Sequence, residues 1–175
     1  MKELNLNILE DGKTTGLSPR YGGFLAEGAS VCLEHFSHPF NVKFPVRGSF
    51  NEEYNLTRIN TTELSINSFN DLEEAVEFGA MGIAIAIIND QKGFVVKRSW
   101  KGTGFDFWAG KFSKNSRFLG KLRVEISGDL KGTDGEINSR LKKKLEQTEQ
   151  SAHSKSPACA VIIEFSNPKS ITGHR

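Results

Sequence analysis

Residues 71–90 read DLEEAVEFGAMGIAIAIIND, and they are followed by GFVVKRSW (93–100), GFDFWAG (104–110) and LRVEISG (122–128). The first segment is polar at its start and apolar throughout its second half, which is typical of a helix buried on more than one face. Asn70 and Glu73 resemble a capping box, so the helix is predicted to begin near Asp71. A strand is the alternative for GIAIAII, but Gly79 and Gly82 favour a helix packed closely against a sheet.

The three segments that follow this helix predict strands, because apolar and polar residues alternate in them. Thr133 and Glu136 form a second capping box, ahead of a helix predicted to run to about Gln150. The apolar run ACAVIIEF (158–165) then predicts a strand buried in a parallel or mixed sheet. The polar segment KFSKNSR (111–117) is predicted to connect the second and third strands.

This order of elements predicts an α/β (α+β) fold, in which a central mixed sheet with an αβββαβ core is flanked by helices. The crossover between the parallel strands is expected to be right-handed. Residues 18–38 predict an N-terminal helix, residues 41–60 a β-hairpin, and residues 61–70 a connector. A single domain of 175 residues is predicted, divided into a helix and hairpin extension (1–70), the core (71–166) and a polar tail (167–175).

The charge of the chain is unevenly distributed. The net charge is +2, but residues 92–144 contain 14 Lys/Arg and 5 Asp/Glu, which leaves the remainder at −7. This asymmetry favours a surface that faces a polyanion such as a nucleic acid. A solvated basic face without a partner is an equally good interpretation, and a protein partner or a homo-oligomer is a further alternative.

The sequence predicts a cytoplasmic protein with no membrane partner. No apolar run reaches the roughly 18 residues that a membrane span requires, and the polar start MKELNLNILEDGK is unlike a signal peptide. Cys32 and Cys159 lie in apolar surroundings and are predicted to be buried thiols in a reducing compartment. The four His residues are scattered and form no zinc-binding spacing with the cysteines.

Three carboxylates lie within or beside apolar runs, namely Glu77, Asp106 and Glu125. A carboxylate in such a position costs free energy unless a metal, a base or hydrogen bonds compensate it. Ordinary ion pairs are the alternative for the two strand acids: Lys101 or Lys111 for Asp106, and Lys97 or Arg98 for Glu125. For Glu77 a surface position is the simpler interpretation. The aromatic residues of GFDFW and Trp100 predict core packing, with a stacking platform for bases as the alternative.

The order of elements, with Asp106 in the second strand and Glu125 in the third, resembles the PD-(D/E)XK nuclease superfamily, or restriction-endonuclease-like fold, over residues 71–166. That resemblance implies an Asp in the second strand, a Glu-x-Lys in the third and often a Glu from the first core helix. Asp106, Glu125 and Glu77 match these positions. The chain also looks like a bacterial family of uncharacterised proteins with a similar GTGFDxW pattern, which implies no function.

Ser127 stands where the resemblance implies a Lys. Some members of the superfamily supply this cation from the following helix, where Arg140 and Lys144 are available. The alternatives for Arg140 and Lys144 are solvated side chains that cover the apolar stripe of that helix.

The resemblance implies a nuclease that uses Mg²⁺ or Mn²⁺ to hydrolyse phosphodiester bonds in bacterial defence or DNA processing. The metal ligands would be Asp106, Glu125, Glu77 and the backbone carbonyl of Ile126, with the helix cation near the phosphate. The main alternative is a catalytically inactive nuclease fold that serves as a binding or assembly subunit. A weaker alternative is an interaction module that uses the edge of the N-terminal hairpin.

Overall fold

The computed structural model describes residues 1–115 and 117–175, so that Ser116 of the predicted KFSKNSR connector lies outside the described residues. The described residues form eight strands: β1 (Lys2–Asn5), β2 (Asn41–Gly48), β3 (Glu52–Thr57), β4 (Val95–Arg98), β5 (Phe107–Phe112), β6 (Phe118–Asp129), β7 (Ala158–Glu164) and β8 (Lys169–His174). They also form five α-helices: α1 (Gly12–Thr15), α2 (Pro19–His35), α3 (Glu63–Ser68), α4 (Leu72–Lys92) and α5 (Asp134–Gln147). Two 3₁₀ segments complete the elements, Leu6–Glu10 and Thr148–Ser154.

The strands form one mixed sheet in the order β1-β3-β2-β8-β7-β6-β5-β4. Strands β4, β5 and β6 form an antiparallel meander, and β6 pairs with β7 in parallel. Because α5 lies between β6 and β7 in the chain, it is the crossover connection that a parallel pair requires. The predicted mixed α/β sheet is therefore confirmed, with the αβββαβ order formed by α4, β4, β5, β6, α5 and β7.

Helix α4 runs through the centre of the molecule and packs against α2 as well as β6 and β7. Its N-cap is Asp71, whose side chain accepts a hydrogen bond from the backbone N–H of Glu73. The prediction of a helix was correct, but Asn70 is not its cap. A Cβ on Gly79 would lie 2.8 Å from the backbone of Ala29, so the missing side chain allows α2 to pack closely on α4. The prediction that this glycine allows packing against a sheet is therefore wrong.

The prediction of a polar tail over residues 167–175 is wrong. Strand β8 lies inside the sheet, antiparallel to β7 and parallel to β2. Its buried side chains are Ser170 and Thr172, so the alternating pattern of burial carries no apolar signal in the sequence. The hydroxyl of Thr172 instead accepts from the N–H of Phe50 and donates to the carbonyl of Arg47.

The predicted N-terminal elements are largely present. Ser18 caps α2, and β2 and β3 form the expected antiparallel hairpin. This hairpin joins the common sheet through β2 and β8, and is not an appendage to it. The predicted connector over residues 61–70 contains α3, which begins with a capping box between Thr62 and Ser65.

Cys32 and Cys159 are buried free thiols, as predicted. Among the helices of the described residues, none combines the length and the apolar character that a membrane crossing requires.

Candidate active site

Strands β5 and β6 place Asp106 beside Glu125. Phe107 pairs with Val124, so the residue before Phe107 lies opposite the residue after Val124. The N–H of Asp106 donates to the carbonyl of Val124 at 2.8 Å, and the Asp106 carboxylate accepts from the N–H of Ile126 at 2.9 Å. The negative charge of Asp106 acts on Glu125 and raises the pKa of its carboxyl. The structure thus brings together the two strand acids among the three carboxylates that the sequence singled out.

Glu125 is the buried member of this pair. Its side chain is only 3 % exposed, and its Oε1 accepts a hydrogen bond from Lys144 Nζ at 2.6 Å. Burial raises the pKa of Glu125 to about 7, the negative charge of Asp106 adds to the increase, and Lys144 opposes it. The Glu125 carboxyl therefore exchanges its proton near neutral pH.

Asp106 has its own cation, Arg98 at the end of β4. Arg98 Nη1 lies 3.1 Å from Asp106 Oδ1, and its guanidinium lies 4.8 Å from the centre of the Phe107 ring. Neither lysine that the sequence offered to Asp106 is its partner, and Glu125 pairs with a helix residue and not with a cation of β4. Two cations, Arg98 and Lys144, therefore pair with the two acids.

Helix α5 supplies Lys144 from the face that packs on the sheet. The ammonium group of Lys144 also donates to Gln147 Oε1 at 3.3 Å, which fixes it beside Glu125. Arg140, one turn earlier, points elsewhere: its Nη2 lies 2.9 Å from Asp129 Oδ2, and its Nη1 donates to Ser127 Oγ at 3.3 Å. Of the two predicted helix cations, only Lys144 contacts an acid of the pair.

These groups line a cleft of about 710 Å³ between α4, the turn after β4, and the end of α5. Gly128 lets α4 lie against β6, because a Cβ there would be 2.5 Å from the carbonyl oxygen of Val76. This contact places Glu77 on the wall of the cleft, where it is exposed. Across residues 1–115 and 117–175, no three His, Cys, Asp or Glu side chains surround a common position. Glu77 therefore lines the site but stands apart from the acid pair.

The donor atoms of the acid pair fit a hard divalent cation. In a strand, the N–H and C=O of one residue point to the same side, and the N–H of Ile126 points to the Asp106 carboxylate. The Ile126 carbonyl therefore opens toward the same place, beyond the start of β5. Two carboxylates and one carbonyl are the oxygen ligands that Mg²⁺ takes while keeping several waters. Asp106, Glu125 and Ile126 are thus suited to hold Mg²⁺ or Mn²⁺.

Two residues of the site were not predicted from the sequence. The pairing of Arg98 with Asp106 depends on the register of β4 and β5, which a sequence pattern does not give. Trp100 was predicted to be core, yet it is 85 % exposed at the rim of the cleft. Its position between the last residues of β4 and the glycines of KGTG was the available signal, because a residue in a turn has no sheet face to pack on.

Compared with known proteins, the chain matches no protein-family model, no curated protein and no solved structure.

Proposed function

We propose that the protein is a metal-dependent nuclease that hydrolyses phosphodiester bonds. The observation that supports this most is the meeting of Asp106, Glu125 and Lys144 in one cleft. The resemblance to the PD-(D/E)XK superfamily implies two strand acids and a cation at such a site. A helix lysine here occupies the role that Ser127 does not fill on the strand.

Each group has a distinct part in the proposed reaction. Bound Mg²⁺ or Mn²⁺ would neutralise charge on the phosphate and lower the pKa of the attacking water. Asp106, Glu125 and the Ile126 carbonyl would hold the ion. Lys144, which lies beside Glu125 in the cleft, would donate a hydrogen bond to a phosphate oxygen and stabilise its developing charge. Water adds across one P–O bond, which yields a phosphate monoester and a free hydroxyl.

A cleavage assay tests this proposal. End-labelled DNA and RNA are incubated with the protein in Mg²⁺, Mn²⁺ or EDTA. Asp106→Asn and Glu125→Gln are expected to lower the rate by roughly 100-fold or more, since each removes a group that acts on the developing charge. Glu146→Gln, an exposed acid on α5, is the matched control and should leave the rate unchanged.

The helix cations provide a second comparison. Lys144→Met should reduce the rate by roughly 100-fold, whereas Arg140→Met should have a smaller effect because Arg140 is paired with Asp129. Cleavage that survives in both acid variants, or that does not depend on a divalent ion, would refute the proposal.

A second candidate function is a nuclease-fold subunit that binds without cutting. The balance of the two acids by Arg98 and Lys144 favours it, because the site carries no excess negative charge that must attract an ion. Ser127 in the place of the motif lysine points the same way. Binding of nucleic acid in EDTA, together with no cleavage in Mg²⁺ or Mn²⁺, would support this second function.

A further inference from the structure

One face of the sheet is left partly uncovered beside the cleft. Helix α5 packs against β6, β7 and β8, and the same face continues onto β5 and β4. Lys97 pairs with Trp108, and Trp108 pairs with Arg123, whose guanidinium reaches the carbonyl of Thr148 just after α5, so Lys97 and Trp108 both project from this face. Lys121 is exposed on β6 next to buried Leu122. We name Trp100, Trp108, Lys97 and Lys121 the aromatic strip.

Trp100 joins the aromatic strip to the cleft, because it lines both the cleft and a second hollow of about 230 Å³ on the strip. The turn fixes the backbone of Trp100, whereas its indole ring is exposed to solvent. Thr103 Oγ1 lies 2.9 Å from the carbonyl oxygen of Trp100, and Gly102 and Gly104 take φ values of +87° and +78°. An indole held open to water forgoes a large gain from apolar burial, which a ligand would recover.

Trp108 forms the floor of the second hollow. Its ring meets that of Phe105 edge to face, with the ring centroids 4.9 Å apart. Gly120 lies directly against the indole, since a Cβ there would be 2.8 Å from Cε3. Phe105 and Gly120 therefore fix this indole with part of its surface open to solvent.

The segment that carries the aromatic strip is rich in positive charge, although the neighbouring wall of the cleft contributes Glu73 and Glu77. Residues 95–123 contain eight Lys/Arg and a single acid, Asp106, which is paired with Arg98. Trp100 is exposed and Trp108 is half-buried, and such rings beside lysines are suited to a nucleic-acid strand, since bases stack on the rings and phosphates bind the cations. In a duplex the base faces are stacked on one another and cannot reach the indoles.

We infer that the aromatic strip binds unpaired nucleotides and leads the strand into the cleft. The binding follows from the surface alone, and the entry into the cleft rests on the proposed nuclease function. The substrate would accordingly be single-stranded nucleic acid, or a junction with an unpaired segment.

The two tryptophans of the chain both lie on the aromatic strip, so intrinsic fluorescence reports on this surface. An oligothymidylate of about 20 nucleotides, titrated in EDTA, should quench the emission and bind at least about tenfold more tightly than a duplex of equal length. Trp100→Ala should weaken binding of the oligothymidylate, measured by anisotropy, roughly tenfold or more. Leu64→Ala, which removes a 76 % exposed apolar side chain from α3, is the control and should not change binding.

Two further arms sharpen the test. The double variant Lys97→Ala and Lys121→Ala should bind more weakly and show a shallower salt dependence, because it contacts fewer phosphates. Oligouridylate in place of oligothymidylate distinguishes RNA from DNA. Equal affinity for duplex and single strand, or unchanged binding by Trp100→Ala, overturns the inference. Because no cleavage is needed, a protein that binds oligothymidylate but cuts nothing refutes only the nuclease function.

Discussion

Replacing Glu125 by Gln should change how the stability of the protein depends on pH. Burial and the charge of Asp106 raise the pKa of Glu125 from its ordinary value of 4.5 to about 7. A tenfold change in proton affinity is worth about 1.4 kcal/mol, so this difference corresponds to about 3 kcal/mol. That energy is the cost of ionising Glu125 inside the folded protein.

The direction of the effect follows from proton binding. Between about pH 4.5 and pH 7 the folded protein holds a proton on Glu125 that the unfolded chain has lost. The free energy of unfolding therefore falls as the pH rises through this interval. The stabilising contribution of the protonated carboxyl is complete below pH 4.5 and is lost above about pH 7. Gln does not ionise, so the variant lacks this loss.

Urea unfolding measures the effect. The free energy of unfolding of Glu125→Gln minus that of the wild type should increase by about 3 kcal/mol from about pH 4.5 to about pH 8, with EDTA present throughout. Taking the difference cancels the titrating groups that do not interact with Glu125, and it cancels the constant effect of replacing a carboxyl by an amide. Glu146→Gln, at an exposed position on α5, should give a difference that is nearly flat. A flat difference for Glu125→Gln as well would refute the reasoning, because Glu125 would then ionise as freely in the folded protein as in the unfolded chain.

Three further outcomes are expected. Lys144→Met should raise the pKa of Glu125 above about 7, because Lys144 lowers that pKa. The chemical shift of the Glu125 carboxyl carbon, followed by NMR over a pH titration, measures the pKa. A midpoint that is lower than that of the wild type, or unchanged, would contradict the prediction. Gly79→Ala should destabilise the protein by about 1–3 kcal/mol, because the added Cβ would meet the backbone of Ala29. Gly135→Ala, which has open space around it, should be neutral or stabilise the protein by up to about 1 kcal/mol. Equal unfolding free energies for the two variants would contradict the close contact between α2 and α4. Burial raises the pKa of both cysteine thiols to about 12. An aromatic disulfide reagent at about pH 8 should therefore modify them only after the protein is unfolded in urea. Rapid modification of the folded protein would show that the thiols are accessible.

The order of the core elements could be predicted because periodicity and capping residues are local signals. Thr133 and Glu136 mark the start of α5, and the unbroken apolar run of β7 marks a buried strand. Strand β8 could not be predicted in this way. Its buried side chains carry hydroxyls, and that of Thr172 forms long-range hydrogen bonds, so the sequence shows polar residues where the structure has an interior.

In the candidate site, too, local signals identified some residues, whereas others depend on long-range packing. Asp106 and Glu125 were identifiable as acids in apolar surroundings, and their meeting follows from the register of β5 and β6. Lys144 was one of two helix cations, and only the packing of α5 distinguishes it from Arg140. Trp100 looked like core because the position of the turn between β4 and β5 depends on strand ends that periodicity does not locate.

The position of β8 in the sheet also constrains how the chain folds during translation. The hydrogen-bonded set β1-β3-β2 meets the set β7-β6-β5-β4 across β8. The two sets can be hydrogen-bonded into one sheet only after residues 169–174 have left the ribosome. Until then the Ile-rich β7 has an unpaired edge, which is the kind of surface that chaperones bind and that nascent chains use to aggregate.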